Sequence, residues 1–345
     1  MKIIFMGTPD FSVGTLEALI QAGHEIALVV TQPDKPKGRG KNMQFSPVKE
    51  AALAHGLEIY QPKRIRDPEC VEYLRKQEAD IMVVVAFGQI LSKEILEMPK
   101  FGCVNVHASL LPKYRGAAPI QWAVIHGEKV TGVTTMRMDE GIDTGDMILK
   151  EEVKLREDET GGSLFDRLAE TGAKLCVRTL EEIAKGTAKY TPQNHEEATH
   201  TSMIRKQLGE IDWKKPAREL ECLIRGLNPW PSAYTCLDGK TLKIWKAEVK
   251  DSEQEGAIES GSASVTGEAL EPEIIAAAVK EALEPGTIIR VTKDAIEVQT
   301  GQGILILKEL QLEGKKRLSA DAFLRGFSVE AGEKLGKLGK ESEKS

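Results

Sequence analysis

Two short runs, IMVVV at residues 81 to 85 and CVNV at 103 to 106, are apolar on both faces where a half-exposed strand would alternate. Such runs belong in a parallel sheet covered by helices on either side. The strand-like runs of the first half span residues 2 to 7, 25 to 31, 57 to 60, 80 to 87 and 102 to 107. Helix signals lie between them. Thr8-Pro9, Ser46-Pro47 and Asp67-Pro68 each offer a side-chain oxygen at the N-cap and Pro at the first helical position, where its missing N–H costs nothing. Gly23 and Gly56 stand where two of these helices should close. The alternation predicts a doubly wound, mostly parallel α/β sheet. Two more strands, TGVTTMRM and DMILKEEV, follow, and then a helix from about Gly162 to Lys185 that buries Leu164, Leu168, Leu175 and Leu180. Together these elements make a first domain over residues 1 to 188.

Residues 189 to 207 carry turn residues without sustained periodicity and predict a linker. From 208 to 330 a helix, about Pro216 to Arg225, precedes strands near 233 to 237, 242 to 249, 287 to 292, 295 to 299 and 304 to 312, the pattern of a small OB-like β-barrel. An acidic insertion, residues 251 to 284, interrupts it with nine acids against Lys280, a net of −8, so the rest of the chain carries +2 of the overall −6. Its front reads as mobile and its back, PEIIAAAVKEAL, as a short helix. A charged tail follows from 331 to 345.

A chain of 345 residues can bury two cores. No apolar run approaches the ~20 residues that span a bilayer, and MKIIFMG enters a strand at its second residue, so a cytoplasmic location is expected. Five cysteines without C-x-x-C spacing read as reduced thiols, with no metal site.

In open α/β sheets ligands bind beyond the carboxyl ends of the strands, which here carry Gly7-Thr8, Thr31-Gln32, Phe87-Gly88 and Asn105-Val106-His107. Asn105 and His107 are two apart on one strand and so share a face. The loop after them, ASLLPKYRGAAPIQWA, sets Leu110 and Leu111 among polar residues, which suits either a plug at the sheet edge or a slot for a flat ligand. Loop DEGIDTGD, residues 139 to 146, holds Asp139, Glu140, Asp143 and Asp146; spacing leaves open which of the four orients His107. Cys103 shares the face of His107 but starts the strand, so it should lie deep and take no catalytic part. Other chemistries fail at the motif level. GTPDFS lacks the glycines of a dinucleotide fold, and GRGK lacks the spacing and Ser/Thr of a phosphate-binding loop.

NVHASLLPKYRGAAPIQWA and, about twenty residues on, MDEGIDTGDM closely resemble the folate-dependent formyltransferases. The resemblance implies a Rossmann-like catalytic domain whose catalytic Asn, His and Asp fall on Asn105, His107 and Asp143. It also implies 10-formyltetrahydrofolate as co-substrate, no metal, and folate contacts at Ser109, Leu110, Leu111, Pro112, Phe87, Gly88, Gln89 and Gly141. FMGTPDF, TQPDKPKGRGK, IDWKKPARELECLIRGLNPWPSAY and KIWKAEV extend the match into the second domain, toward the branch of the family that formylates methionine carried on initiator tRNA. On that reading Lys35, Lys37, Arg39 and Lys41 in a Gly- and Pro-rich loop, and Lys214, Lys215, Lys243 and Lys246 in the barrel, would meet tRNA phosphates, with Arg218 and Arg225 as further candidates. A monomer is expected. The alternatives are a formyltransferase for another amine, a hydrolase of the formyl-folate, and a nonenzymatic RNA-binding protein that would tolerate loss of Asn105 and His107.

Overall fold

The computed structural model describes residues 1–37, 42–250 and 284–336. Arg39, Lys41, nearly all of the acidic insertion and most of the tail lie outside the described residues. The chain forms two compact units, residues 1–123 with 128–203, and residues 124–127 with 204 onward.

Ten strands and six helices open the first unit's order: β1 Lys2–Gly7, α1 Asp10–Gln21, β2 Glu25–Val30, β3 Lys35–Lys37, β4 Asn42–Gln44, α2 Pro47–Ala54, β5 Ile59–Tyr60, α3 Pro68–Arg75, β6 Ile81–Val85, α4 Lys93–Leu96, β7 Cys103–His107, β8 Arg115–Gly116, α5 Pro119–Ile125, β9 Val130–Arg137, β10 Met147–Lys154 and α6 Gly161–Lys185. The main sheet runs β10-β9-β7-β6-β1-β2-β5. Strands β7, β6, β1, β2 and β5 are parallel, and β9 and β10 continue the sheet antiparallel. The expected doubly wound sheet is therefore present with one antiparallel flank. Every residue of β6 and β7 is buried, as their unbroken apolar runs require.

Helix α6 opens with a capping box between Thr160 and Ser163 and closes on Gly186 in the left-handed conformation. A Cβ at its Gly172 would sit 3.0 Å from Val106 Cγ1, so the glycine lets the helix lie close against β7. Val106 thereby faces α6, while strand alternation turns Asn105 and His107 to the opposite face.

The three expected helix starts differ. Ser46 accepts from Lys49 N at 3.1 Å, as a cap should. Asp67 occupies the cap position without a side-chain bond. Pro9 rather than Thr8 stands at the cap of α1, because Pro9 is itself extended and the helix starts at Asp10. Thr8 instead ties strand ends together: its hydroxyl donates to Phe87 O at 3.1 Å and accepts from Gln32 N at 3.3 Å.

The segment expected as a linker is strapped along the first unit through Thr201. Thr191 and Met147 exchange backbone hydrogen bonds, and β11, His200–Thr201, pairs in parallel with β8. Hydrogen bonding without apolar periodicity holds this strap, which is why its sequence reads as a loop.

In the second unit α7 Ala217–Gly226 precedes β12 Ala233–Leu237, β13 Lys240–Val249, β14 Ile288–Val291, β15 Ile296–Gln299, β16 Ile304–Leu312, β17 Leu318–Ser319 and α8 Ala320–Gly326. The antiparallel sheet runs β12-β13-β16-β15-β14, with β17 beside β16. Leu220, Ile244, Val298, Leu305, Leu307 and Phe323 are central to its core. Register shifts in β13 between Ile244 and Ala247 bend the sheet. Bridges Cys236↔Gly336 and Thr287↔Lys334 carry the chain's last described residues between its edges, a barrel-like arrangement that blunts both. The expected tail thus begins inside the barrel. Among the described residues no helix is long and apolar enough to cross a membrane.

Candidate active site

Beyond the carboxyl ends of β1, β6 and β7 lies a cavity of about 480 Å³, within the usual range for small-molecule sites. Val84, Phe87, Met138, Phe11, Phe165 and Ile120 give it apolar walls, and Asn105, His107 and Asp143 converge on it. Asn105 and His107 come from β7, where they pair in register with Met136 and Thr134 of β9. Both are largely buried, at 9% and 6% exposure.

Asp143 reaches the pair from the 139–146 loop. Its Oδ1 accepts from Asn105 Nδ2 at 3.4 Å, and its Oδ2 accepts from Gly116 N at 2.8 Å and lies 3.6 Å from His107 Nδ1. The other ring nitrogen, Nε2, is 2.9 Å from Tyr114 O. A carbonyl only accepts, so Nε2 carries a proton here and Nδ1 is left facing the carboxylate. The sequence left four acids open, and among the described residues Asp143 is the one of the four whose carboxylate lies within 4 Å of the His107 ring. Asp139 is spent on its own turn, accepting from Gly141 N at 3.0 Å and Thr144 Oγ1 at 2.6 Å, and Glu140 is exposed. At 3.6 Å Asp143 is beyond hydrogen-bond reach of Nδ1, so the carbonyl of Tyr114 is what fixes the ring.

Tyr114 carried no signal for that role. It acts through its backbone, held at φ +60°. Asp143 (+54°), Ala86 (+47°) and Ala118 (+56°), all lining the cavity, are also left-handed. Non-glycine residues adopt this conformation at about 1–3 kcal/mol each and concentrate at functional sites. Gly116 must be glycine twice over. Its φ is +96°, and a Cβ would lie 2.6 Å from Thr201 O.

The expected folate residues divide. Phe87, Gly88 and Gln89 line the cavity. The Gln89 amide, however, is committed to loop structure, accepting from Ile65 N at 2.8 Å and donating to Pro62 O at 3.1 Å. Ser109, Leu110, Leu111, Pro112 and Gly141 are not among the lining residues. Leu111 is fully buried with Met136 and Met147, which is the plug arrangement. Ser109 Oγ donates to Lys113 O at 2.6 Å, and Thr134 Oγ1 joins Ser109 O to Leu111 N. Cys103 lies deep, fully buried, and burial pushes its thiol up to about 12, which removes it as a nucleophile at neutral pH. Among the described residues no group of His, Cys, Asp and Glu is arranged to hold a metal ion.

The basic candidates are placed less decisively. Lys35 is exposed and lines a second cavity of about 470 Å³ with Thr8, Gln32, Gln44 and Phe45. Lys37 lies on β3, and Arg39 and Lys41 fall outside the described residues. Asp34, the one acid in that loop, is engaged elsewhere: Lys49 at 2.5 Å and the Gln61 amide hold its carboxyl below the usual carboxylate range. In the second unit Lys214 and Lys246 are exposed, Lys215 pairs with Glu219 at 3.5 Å, and Lys243 lies over the Trp245 ring at 5.6 Å. Arg218 sits 3.3 Å from Glu221. Arg225 is tied to the same buried carboxylate, donating from Nη2 at 3.0 Å.

The chain belongs to the formyl transferase family: the formyl transferase model matches residues 1–180, and that of the formyl transferase C-terminal domain matches residues 203–328. It is similar to the methionyl-tRNA formyltransferase of Agathobacter rectalis, 64% identical over 96% of this chain and 98% of that one. That of Lachnospira eligens is 53% identical over 97% of this chain and all of that one. Among solved structures, the N-formyltransferase of Helicobacter canadensis, in complex with folinic acid and dTDP-3-aminofucose, aligns with a TM-score of 0.61 at 17% identity over 89% of this chain and 98% of that one. HypX from Aquifex aeolicus aligns at 0.58 and 16% over 96% of this chain, which spans about half (49%) of HypX. At such identities these two structures share a fold.

Proposed function

We propose that this protein transfers the formyl group of 10-formyltetrahydrofolate to the α-amino group of methionine carried on initiator tRNA. The observation that carries this reading is the match at 64% identity through both units, since the second unit is where transfer to tRNA rather than to a small amine would be decided. A cavity of about 480 Å³ with apolar walls and a polar floor suits the pterin end of the folate.

Formyl transfer forms a C–N bond to the amine, breaks the C–N bond to the folate, and moves one proton from the incoming to the leaving nitrogen. An amide nitrogen carries two hydrogens, so Asn105 can spend one on Asp143 and aim the other at the oxygen that gains charge. His107, anchored at Nε2, exchanges the proton at Nδ1. The Asp143 carboxylate lies 3.6 Å from that nitrogen. Basic residues of the 35–41 loop and the barrel would hold the RNA backbone. We further infer that the protein acts in the cytoplasm as a monomer.

The test supplies 10-formyltetrahydrofolate with methionyl initiator and elongator tRNA separately. Formyl-methionine should form on the initiator. No product there rejects the reading, and formate release without tRNA would replace it with hydrolysis.

A further inference from the structure

The geometry points to Gln193 as a positioning residue for the Asp143–His107 pair, and it rests on the roles proposed for those two. Between Thr191 and Glu197 only Gln193 is buried, at 6% exposure. Its Nε2 donates to Asp143 O at 2.9 Å and to Gly145 O at 2.7 Å. Its Oε1 accepts from Arg115 Nε at 3.1 Å and Nη2 at 2.7 Å. The primary amide is thus used completely, two donors and two lone pairs, a pattern that no other side chain of this length supplies.

The two ends of that amide join the two loops that build the site. One end grips the turn that presents Asp143. The other grips Arg115, itself 3% exposed and in further contact with His195 Nδ1 at 3.2 Å. Arg115 stands between Tyr114, whose carbonyl holds His107 Nε2, and Gly116, whose N–H holds Asp143 Oδ2. The same strap secures the second loop again farther on, where Thr199 Oγ1 accepts from Tyr114 N at 2.8 Å and Thr199 O from Arg115 N at 2.8 Å. Asp143 is left-handed at φ +54°, and a Cβ at Gly145 would fall 1.8 Å from Arg137 O, so the turn is held in a conformation it would not choose alone. Gln193 supplies part of that restraint, and through it the spacing of Asp143 from His107.

Gln193→Glu separates positioning from bulk stability. It keeps the volume and gains charge complementarity with Arg115, but it sets an oxygen against the carbonyls of Asp143 and Gly145 where a donor belongs. Full-length wild type, Gln193→Glu and Gln193→Ala are compared for kcat, for KM of both substrates, and for the ¹⁵N shifts of the His107 ring without substrate. A positioning role lowers kcat in Gln193→Glu by at least ~30-fold, leaves each KM within about threefold, and moves the His107 shifts, with Gln193→Ala changed in the same direction. If kcat stays within about threefold of wild type in the folded variants, or the His107 shifts do not move, the inference is overturned. A wild type that fails to formylate methionyl-tRNA rejects the proposed function instead; the ring shifts, read without substrate, still decide the role of Gln193.

Discussion

The Asn105, His107 and Asp143 cluster of the first unit and the basic surfaces expected to meet RNA are built on opposite terms. Asn105, His107 and Asp143 are each fixed by at least one partner inside the protein, so their distances leave little freedom in which atoms face the cavity. Lys214, Lys215, Lys243 and Lys246 lie at the surface among acids and an aromatic ring. Exposed ion pairs contribute about 0–1 kcal/mol, and a lysine on a barrel needs no functional reason to be there. On the proposed reading, function in the first region would be concentrated in a few atoms, whereas in the second it would be spread over many weak contacts.

That contrast can be broken most directly at the triad. His107→Ala and Asn105→Ala should each lower turnover by at least ~100-fold, with melting temperature near that of wild type, since each removes a group from the reaction rather than from the core. Turnover near wild type in either variant would remove the roles assigned to them. Asp143→Asn keeps the shape of the turn but not its charge, and should cost about 10-fold or more in kcat with little change in KM for the folate. An effect confined to KM would make Asp143 a binding residue.

The surfaces should respond more gently. Arg39→Ala should raise KM for initiator tRNA by about 10-fold and leave folate binding unchanged, with activity falling as salt rises. Salt-independent activity would separate the loop from the RNA. Single alanine substitutions at Lys214, Lys215, Lys243 or Lys246 should each change that KM by no more than about threefold, because each phosphate contact is one among several. A much larger effect at one of them would show a concentrated anchor after all. Smallest of all, replacing residues 251 to 284 by a short linker should leave kcat within about twofold, since their charge repels RNA. Loss of activity would give the insertion a part in the reaction.

Residue type and order determined much of this protein. Consecutive apolar residues at 81 to 85 dictate a strand covered on both faces, and period-two geometry places Asn105 and His107 on one side of β7 whatever surrounds them. The barrel strands were legible for the same reason, because burial on one face imposes alternation, as in the pattern of β12. What lacked a period could not be read. Residues 191 to 201 are held by hydrogen bonds to partners some eighty positions away, such as Arg115 to Gln193, and a polar residue bonded across the fold looks in sequence like one bonded to water. The choice of Asp143 among four acids, the use of Tyr114 O to hold His107, and the burial of Leu111 away from the cavity belong to that second kind. They depend on where loops distant in sequence meet, and only tertiary packing decides it.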